Sequence, residues 1–204
     1  MAFPERLAIA TRNLHKVREI RSICRDWPVA WITVEDHPGP WPEVEEPHPT
    51  YLGNALEKAR AVAAALGVPA IADDSGIEVD ALDGAPGPRS ARYAGEGATD
   101  RANLEMLIEA VRDVPAPERT ARYRCVAAIG WPDGRELHAE GVCEGALILE
   151  PRGEGGFGYD PIFVPTDARA GRTMAELSPE EKDRISHRGK AFRWLGAGIE
   201  HAPR

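Results

Sequence analysis

Cations are in short supply in this chain: Lys and Arg number 25 against 33 Asp and Glu, a formal charge of −8. That balance opposes general attraction to a polyanion such as DNA, while leaving room for a small anion held by a local basic cluster, particularly with a divalent cation between. Long apolar runs are also missing. No stretch approaches the roughly 18 to 20 residues that a membrane span requires, so a globular chain without membrane contact is expected. The opening MAFPERLAIATRN lacks the basic, apolar and small-residue succession of a signal peptide, which predicts a cytoplasmic protein. Cysteine is scarce: Cys24, Cys125 and Cys143 are odd in number, widely spaced and outside any C-x-x-C pair, which excludes a zinc or dithiol site of that type and predicts reduced structural thiols. No internal repeat is visible. At roughly 100 to 200 residues per domain, one domain over residues 1–204 is expected.

The patterning predicts alternating strands and helices. RLAIA reads as a strand, and TRNLHKVREIRSIC as a helix with Leu14, Val17, Ile20 and Cys24 at helical spacing. VAWITV is a second strand. Residues 35–49 carry Pro38, Pro40, Pro42, Pro47 and Pro49 with Glu43, Glu45 and Glu46, which predicts a long acidic loop. Tyr51 to Leu66 is an amphipathic helix stopped by Gly67. PAIA reads as a strand ending at Asp73-Asp74, IEVDAL as another, and residues 83–97 as a loop. A helix capped by Thr99 or Asp100 follows, then a long antiparallel pair through TARYRCVAAIGW and RELHAEGVCEGALIL, turned by Pro132, Asp133 and Gly134. SPEEKDR begins a helix with Pro179 in its first turn and Glu181 completing a capping box, and KAFRWLGAGI is a final helix. The layout is α/β with a mixed sheet.

Four constellations could carry chemistry. In ATRNLHK a strand gives way to a helix whose N-terminal N–H groups attract phosphate, with Lys16 one turn in; the glycines of G-x-x-x-x-G-K-[ST] are absent, and a plain cap by Thr11 or Asn13 accounts for the same residues. The Asp73-Asp74 pair suits a hard divalent cation, with Glu45 and Glu46 as a second acidic pair, or an Asx-turn ending the strand. GEGGFGYDP offers close backbone approach and an aromatic ring for a planar base, or a flexible loop with two packing aromatics. EEKDRISHRGKAF supplies Lys182, Arg184, His187, Arg188 and Lys190 for phosphate or purine oxygens, or a solvated helix face. Together they fit a nucleoside triphosphate hydrolysed with magnesium.

With those residues assembled, the chain closely resembles the inosine triphosphate pyrophosphatase family, which removes non-standard purine nucleotides from the nucleotide pool. The resemblance rests on ATRNLHKVREI, NALEKARA, IADDSGIEVDALDGAPGPRSARYAG, GFGYDPIF and AELSPEEKDRISHRGKAF, in one order over nearly the whole chain. It implies a long curved mixed β-sheet flanked by helices, two lobes around a central nucleotide cleft, and a homodimer. It also implies Mg²⁺-dependent attack of water between the α and β phosphates of ITP, dITP or XTP, releasing nucleoside monophosphate and pyrophosphate. Asp74 matches the general base and metal-associated carboxylate, and Ser75 a substrate contact. Thr11, Arg12, Asn13, Leu14, His15 and Lys16 match the phosphate-binding opening, and Lys58 a lysine facing phosphate or leaving group. Phe157, Gly158, Tyr159 and Asp160 match the base-side loop, with Phe157 stacking. Lys182, His187 and Arg188 match later substrate contacts, the last two reading the 6-oxo group. Either Glu45 or Glu46 would approach the metal. Two departures stand out: Gly53 replaces a Glu frequent in the family, and Arg12 replaces a small residue, adding charge toward the triphosphate.

Overall fold

The computed structural model describes residues 3–39 and 41–201; Pro40, inside the expected acidic loop, lies outside them. The elements run β1 (Arg6–Ile9), α1 (Leu14–Ile23), β2 (Ala30–Ile32), α2 (Tyr51–Leu66), β3 (Ala70–Val79), α3 (Asp100–Ala110), β4 (Thr120–Gly130), β5 (Glu136–Leu147), β6 (Phe163–Pro165), α4 (Pro179–Ile185) and α5 (His187–His201). The strands form one sheet in the order β2-β1-β3-β4-β5-β6. It is mixed, as expected: β1 is parallel to β2 and to β3, while β5 and β6 are antiparallel. Local signals set most boundaries. Asn13, Thr50, Thr99 and Ser178 cap α1, α2, α3 and α4 through their side chains, each accepting from N–H groups that the first turn leaves without a partner. Gly67, in the left-handed region at φ 64°, ends α2.

The described residues fall into two compact units, one drawn from 1–74, 125–141 and 188–204, the other from Ser75–Arg124 and Val142–His187. In the first unit the strand pleat sorts side chains between two layers of helix. Leu7, Ile9 and Ile71, with Cys125, Ala127 and Ile129 of β4, pack with Val17 and Ile20 of α1 and Ala191, Phe192, Leu195 and Ile199 of α5. The alternate residues Ala8, Ala10, Ala70 and Ala72 pack with Ala59, Val62 and Ala63 of α2, and Val126 and Ala128 with Tyr51 and Ala55. Alanine against alanine lets α2 lie close to the strands, and that closeness positions Asn54 and Lys58. The second unit has its own core of Ile77, Val79, Leu107, Val111, Tyr123, Tyr159, Ile162, Phe163 and Met174.

Three expectations are corrected. PAIA and IEVDAL are not two strands separated at the acid pair; β3 runs unbroken from Ala70 to Val79. The strand continues because each carboxylate meets partners on its own face of the pleat, so neither has to be turned out to solvent. Residues 83–97 are not wholly a loop: Gly87–Arg92 forms 3₁₀ turns behind the cis Ala85–Pro86 bond. The last helix starts at His187, because Ser186, extended at φ −65° and ψ 155°, ends α4 and the chain turns straight into α5.

Candidate active site

Asp73 and Asp74 are both buried, 1% and 4% exposed, and being neighbours on β3 they point to opposite faces. Asp73 faces α1 and α5. Its Oδ2 accepts from Arg188 Nε and Nη2 at 3.2 and 2.9 Å, and Lys16 Nζ lies 3.2 Å away. Arg188 Nη1 also donates to Glu19 Oε2 at 2.5 Å, so a fully buried guanidinium is balanced by two carboxylates. Burial alone would raise the Asp73 pKa, but Arg188, Lys16 and Lys58 hold it far below the usual carboxylate range. Cys125 lies on the same face, Sγ 3.9 Å from Asp73 Oδ2; burial and then that carboxylate push its thiol well up, which keeps it an inert packing group. Cys24 and Cys143 are likewise buried.

Asp74 faces α2. Its Oδ2 accepts from Asn54 Nδ2 at 3.0 Å, and its Oδ1 lies 3.8 Å from Lys58 Nζ. Lys58 in turn donates to Glu46 Oε1 at 2.6 Å. Burial raises the Asp74 pKa above the ordinary value, and Glu46 adds to this against the opposing pull of Lys58, Lys16 and Asn54. The two acids thus shift in opposite directions. Lys58 stays cationic: burial disfavours its charge, but Asp74, Glu46 and Asp73 raise its pKa above the lysine value.

The acidic loop is fastened beside this group. The His48 backbone N–H donates to Asn54 Oδ1 at 3.0 Å, so one amide ties the loop to the Asp74 carboxylate. At Gly53 an added Cβ would sit 2.6 Å from His48 Cβ, and this loop path therefore excludes the side chain frequent there in the family. Residues 41–46 and 11–13, with Lys58, line a cavity of about 450 Å³. Glu45 and Glu46 both border it, but Glu46 is the one within reach of Lys58, and Glu45 is exposed. Among the described residues no group of three or more His, Cys, Asp and Glu side chains is arranged to hold a metal.

The opening segment behaves as a cap. Asn13 Oδ1 accepts from the N–H groups of His15 and Lys16 at 2.9 and 3.3 Å, and Thr11 Oγ1 from Asn13 N–H at 3.1 Å. The N–H groups expected to be open to phosphate are here closed by local side chains. Leu14 and His15 are exposed, and Leu14 does not join the core face its spacing suggested. Arg12 donates to Glu43 Oε1 at 2.9 Å and to the Trp41 carbonyl at 2.8 Å, strapping the acidic loop while bordering the cavity.

In the second unit, Ser75 is half-buried on β3. The loop of residues 157–160, expected to take the base, turns on Asp160, whose Oδ2 accepts from Lys182 Nζ at 2.6 Å and from Phe157 N–H at 2.9 Å. Gly156, at φ 71°, is required: a Cβ would fall 2.0 Å from that same oxygen. Gly158 N–H donates to Asp100 at 3.1 Å. Tyr159 is buried, its hydroxyl donating to the Ser90 carbonyl at 2.7 Å, so it braces the loop from the core. Phe157 is half-buried, with Lys182 Nζ 5.2 Å from its ring centre. His187, 4% exposed, stacks on Tyr123.

Asn54, Glu19 and Tyr123 were not among the expected site residues. Asn54 carried a readable signal: it stands four residues before Lys58, one helical turn away on the same face. Glu19 lies in the segment ATRNLHKVREI that carries the resemblance, but its partner Arg188 is distant in sequence, and Tyr123 carried no such signal.

The Ham1 family model matches residues 7–197. A relative from Geobacter sulfurreducens named dITP/XTP pyrophosphatase is 48% identical over 93% of this chain and 94% of its own. A solved HAM1 protein from Coxiella burnetii superimposes with a TM-score of 0.84 at 39% identity, covering 98% of this chain and all (100%) of that one. The Staphylococcus aureus Ham1 protein gives 0.81 at 39% identity over 96% and 98%.

Proposed function

The chain belongs to the Ham1 family, and from that premise we propose that it is a dITP/XTP pyrophosphatase. It hydrolyses ITP, dITP and XTP between the α and β phosphates, giving nucleoside monophosphate and pyrophosphate. The observation that carries this reading is Asp74, a buried carboxylate of raised pKa beside Lys58, a cationic lysine that borders the cavity. A carboxyl of raised pKa is a stronger base than a solvated one, so Asp74 takes the proton of the attacking water. Asn54 orients the carboxylate by donating to Oδ2, while Oδ1 faces Lys58. Lys58 and Lys16 offset the charge that gathers on the departing pyrophosphate. Thr11, Arg12 and Asn13 line the cavity that takes the phosphates, with Leu14 and His15 beside them.

Magnesium fits the donor set. Asp74 and Glu46 converge on one cation, the Lys58 ammonium, and two carboxylates completed by water and phosphate oxygens are what this ion commonly takes. Bound by Asp74 and Glu46, with Glu45 at the cavity edge, Mg²⁺ would supply charge neutralisation and polarisation of phosphate oxygens.

The base is taken by the second unit's Phe157, stacking from the loop of Gly158, Tyr159 and Asp160, and by Lys182 and His187, with Ser75 as a further substrate contact. Arg188 and His187 are assigned to the 6-oxo oxygen of hypoxanthine or xanthine, to which a guanidinium and an imidazole N–H can both donate. Adenine presents an amino donor there and would leave these donors without acceptors, which disfavours ATP. We read residues 1–204 as one domain, in a cytoplasmic homodimer that binds neither nucleic acid nor membrane. Among the described residues no helix is long and apolar enough to cross a membrane.

The test is a panel of ITP, dITP, XTP, GTP, ATP and dTTP with Mg²⁺, scoring pyrophosphate against orthophosphate. Pyrophosphate released first from ITP, dITP and XTP is expected. Orthophosphate as the first product would overturn the α–β cleavage, and equal rates on ATP would overturn the selectivity.

A further inference from the structure

Within the second unit the base-side residues are held in two ways. Phe157, Asp160 and Lys182 are joined by hydrogen bonds and an ion pair, and His187 lies face to face with Tyr123, ring centres 4.5 Å apart and planes within 10°. Tyr123 sits on β4, 7% exposed, and is itself braced by the Phe163 ring at 4.8 Å and 68°. His187 follows directly on the extended Ser186, where α4 stops and α5 starts. An imidazole's final torsion is broad, so rotamer preference alone does not set the ring plane. Recognition of a carbonyl oxygen does depend on that plane, because a hydrogen bond weakens steeply once its angle departs far from linear.

We infer that Tyr123 is a positioning residue for His187: its ring fixes the imidazole plane and thereby sets the preference for 6-oxo purines. This rests on the reading that His187 contacts the base. The stack carries no polarity that would distinguish ITP from ATP; it acts only through the direction in which His187 donates. Its removal therefore lowers activity on ITP and leaves the poorer activity on ATP, which makes no such bond, nearly unchanged.

The experiment measures kcat/KM for ITP and ATP, with melting temperatures as a fold control, in wild type and in Tyr123→Phe, Tyr123→Leu, Tyr123→Met and His187→Ala. Phe retains the stack and should keep the ITP/ATP ratio. Leu and Met keep apolar volume without the stack and should lower that ratio roughly tenfold, through ITP alone; Met supplies the measurement if Leu impairs folding. If the ratio collapses in His187→Ala but survives in Leu and Met, or if ITP and ATP fall together in Leu and Met, Tyr123 does not position His187. If His187→Ala leaves the ratio at its wild-type value, the base contact of His187 fails, and this inference with it.

Discussion

The two faces of β3 put adjacent aspartates to opposite uses. On the α1 and α5 face, Asp73 meets Arg188 and Lys16, with Glu19 completing the balance, and its ionised form is strongly favoured. On the α2 face, Asp74 has one amide donor and a lysine shared with Glu46, and burial wins. The same residue type, one position apart, is held as an anion on one side and has a raised pKa on the other. The balance of burial against the cations on each face decides which. A carboxylate held by strong cationic partners is locked in charge and unsuited to proton transfer, while one whose pKa burial raises is better matched to that task.

Substituting Asp74→Asn should have the largest effect on activity, lowering kcat about 10²- to 10⁴-fold while nucleotide affinity persists. Its sign on stability is a sharper check. Because the folded state raises the Asp74 pKa, its ionisation detracts from stability as pH rises through the raised value, so thermal melting at neutral pH should show no loss in the Asn variant. A fall in melting temperature as large as that for Asp73→Asn would erase the distinction between the faces.

Asp73→Asn is expected to cost about 3 to 5 kcal/mol, as the buried Arg188 loses one of its balancing charges. The folded pKa here is depressed, so the stability that Asp73 contributes is fully present above the unfolded value of about 3.9 and is lost as pH falls below it. Denaturant titrations of both proteins from pH 7 downward should show their difference constant near neutrality and narrowing below about pH 4.

The smallest of the three effects belongs to Asn54→Leu, which leaves the Asp74 oxygen and the His48 N–H without their shared amide. A stability loss of about 1 to 3 kcal/mol is expected. A kcat reduced roughly tenfold with a nearly unchanged KM would mark an orienting role in the transition state. An unchanged kcat would mean that the α2 face needs Asn54 only for packing.

Much of this arrangement is legible in the chain because it is local. Caps at Asn13, Thr99 and Ser178, the stop at Gly67, the hairpin and the acidic loop are each written within a few residues of where they act. The motifs that identify Asp74, Lys16 and Lys58 as a group are legible through resemblance. The continuity of β3 is not, since what permits two acids inside a strand comes from positions 16, 54, 58 and 188, and a local reading meets only the cost of burying them. For the same reason Arg188 reads as a surface donor next to His187, although its guanidinium is buried on Asp73 and Glu19. Tyr123 shows in the alternation of β4 as an inward residue, but nothing local indicates that an imidazole lies on its ring.

The contact between Gly53 and His48 has a consequence for comparing relatives. Wherever a side chain occupies the position of Gly53, the preceding loop must take another route, because the room is already filled by His48 Cβ. In this chain a side chain at position 53 would have to displace His48, and with it the backbone N–H that Asn54 holds beside Asp74.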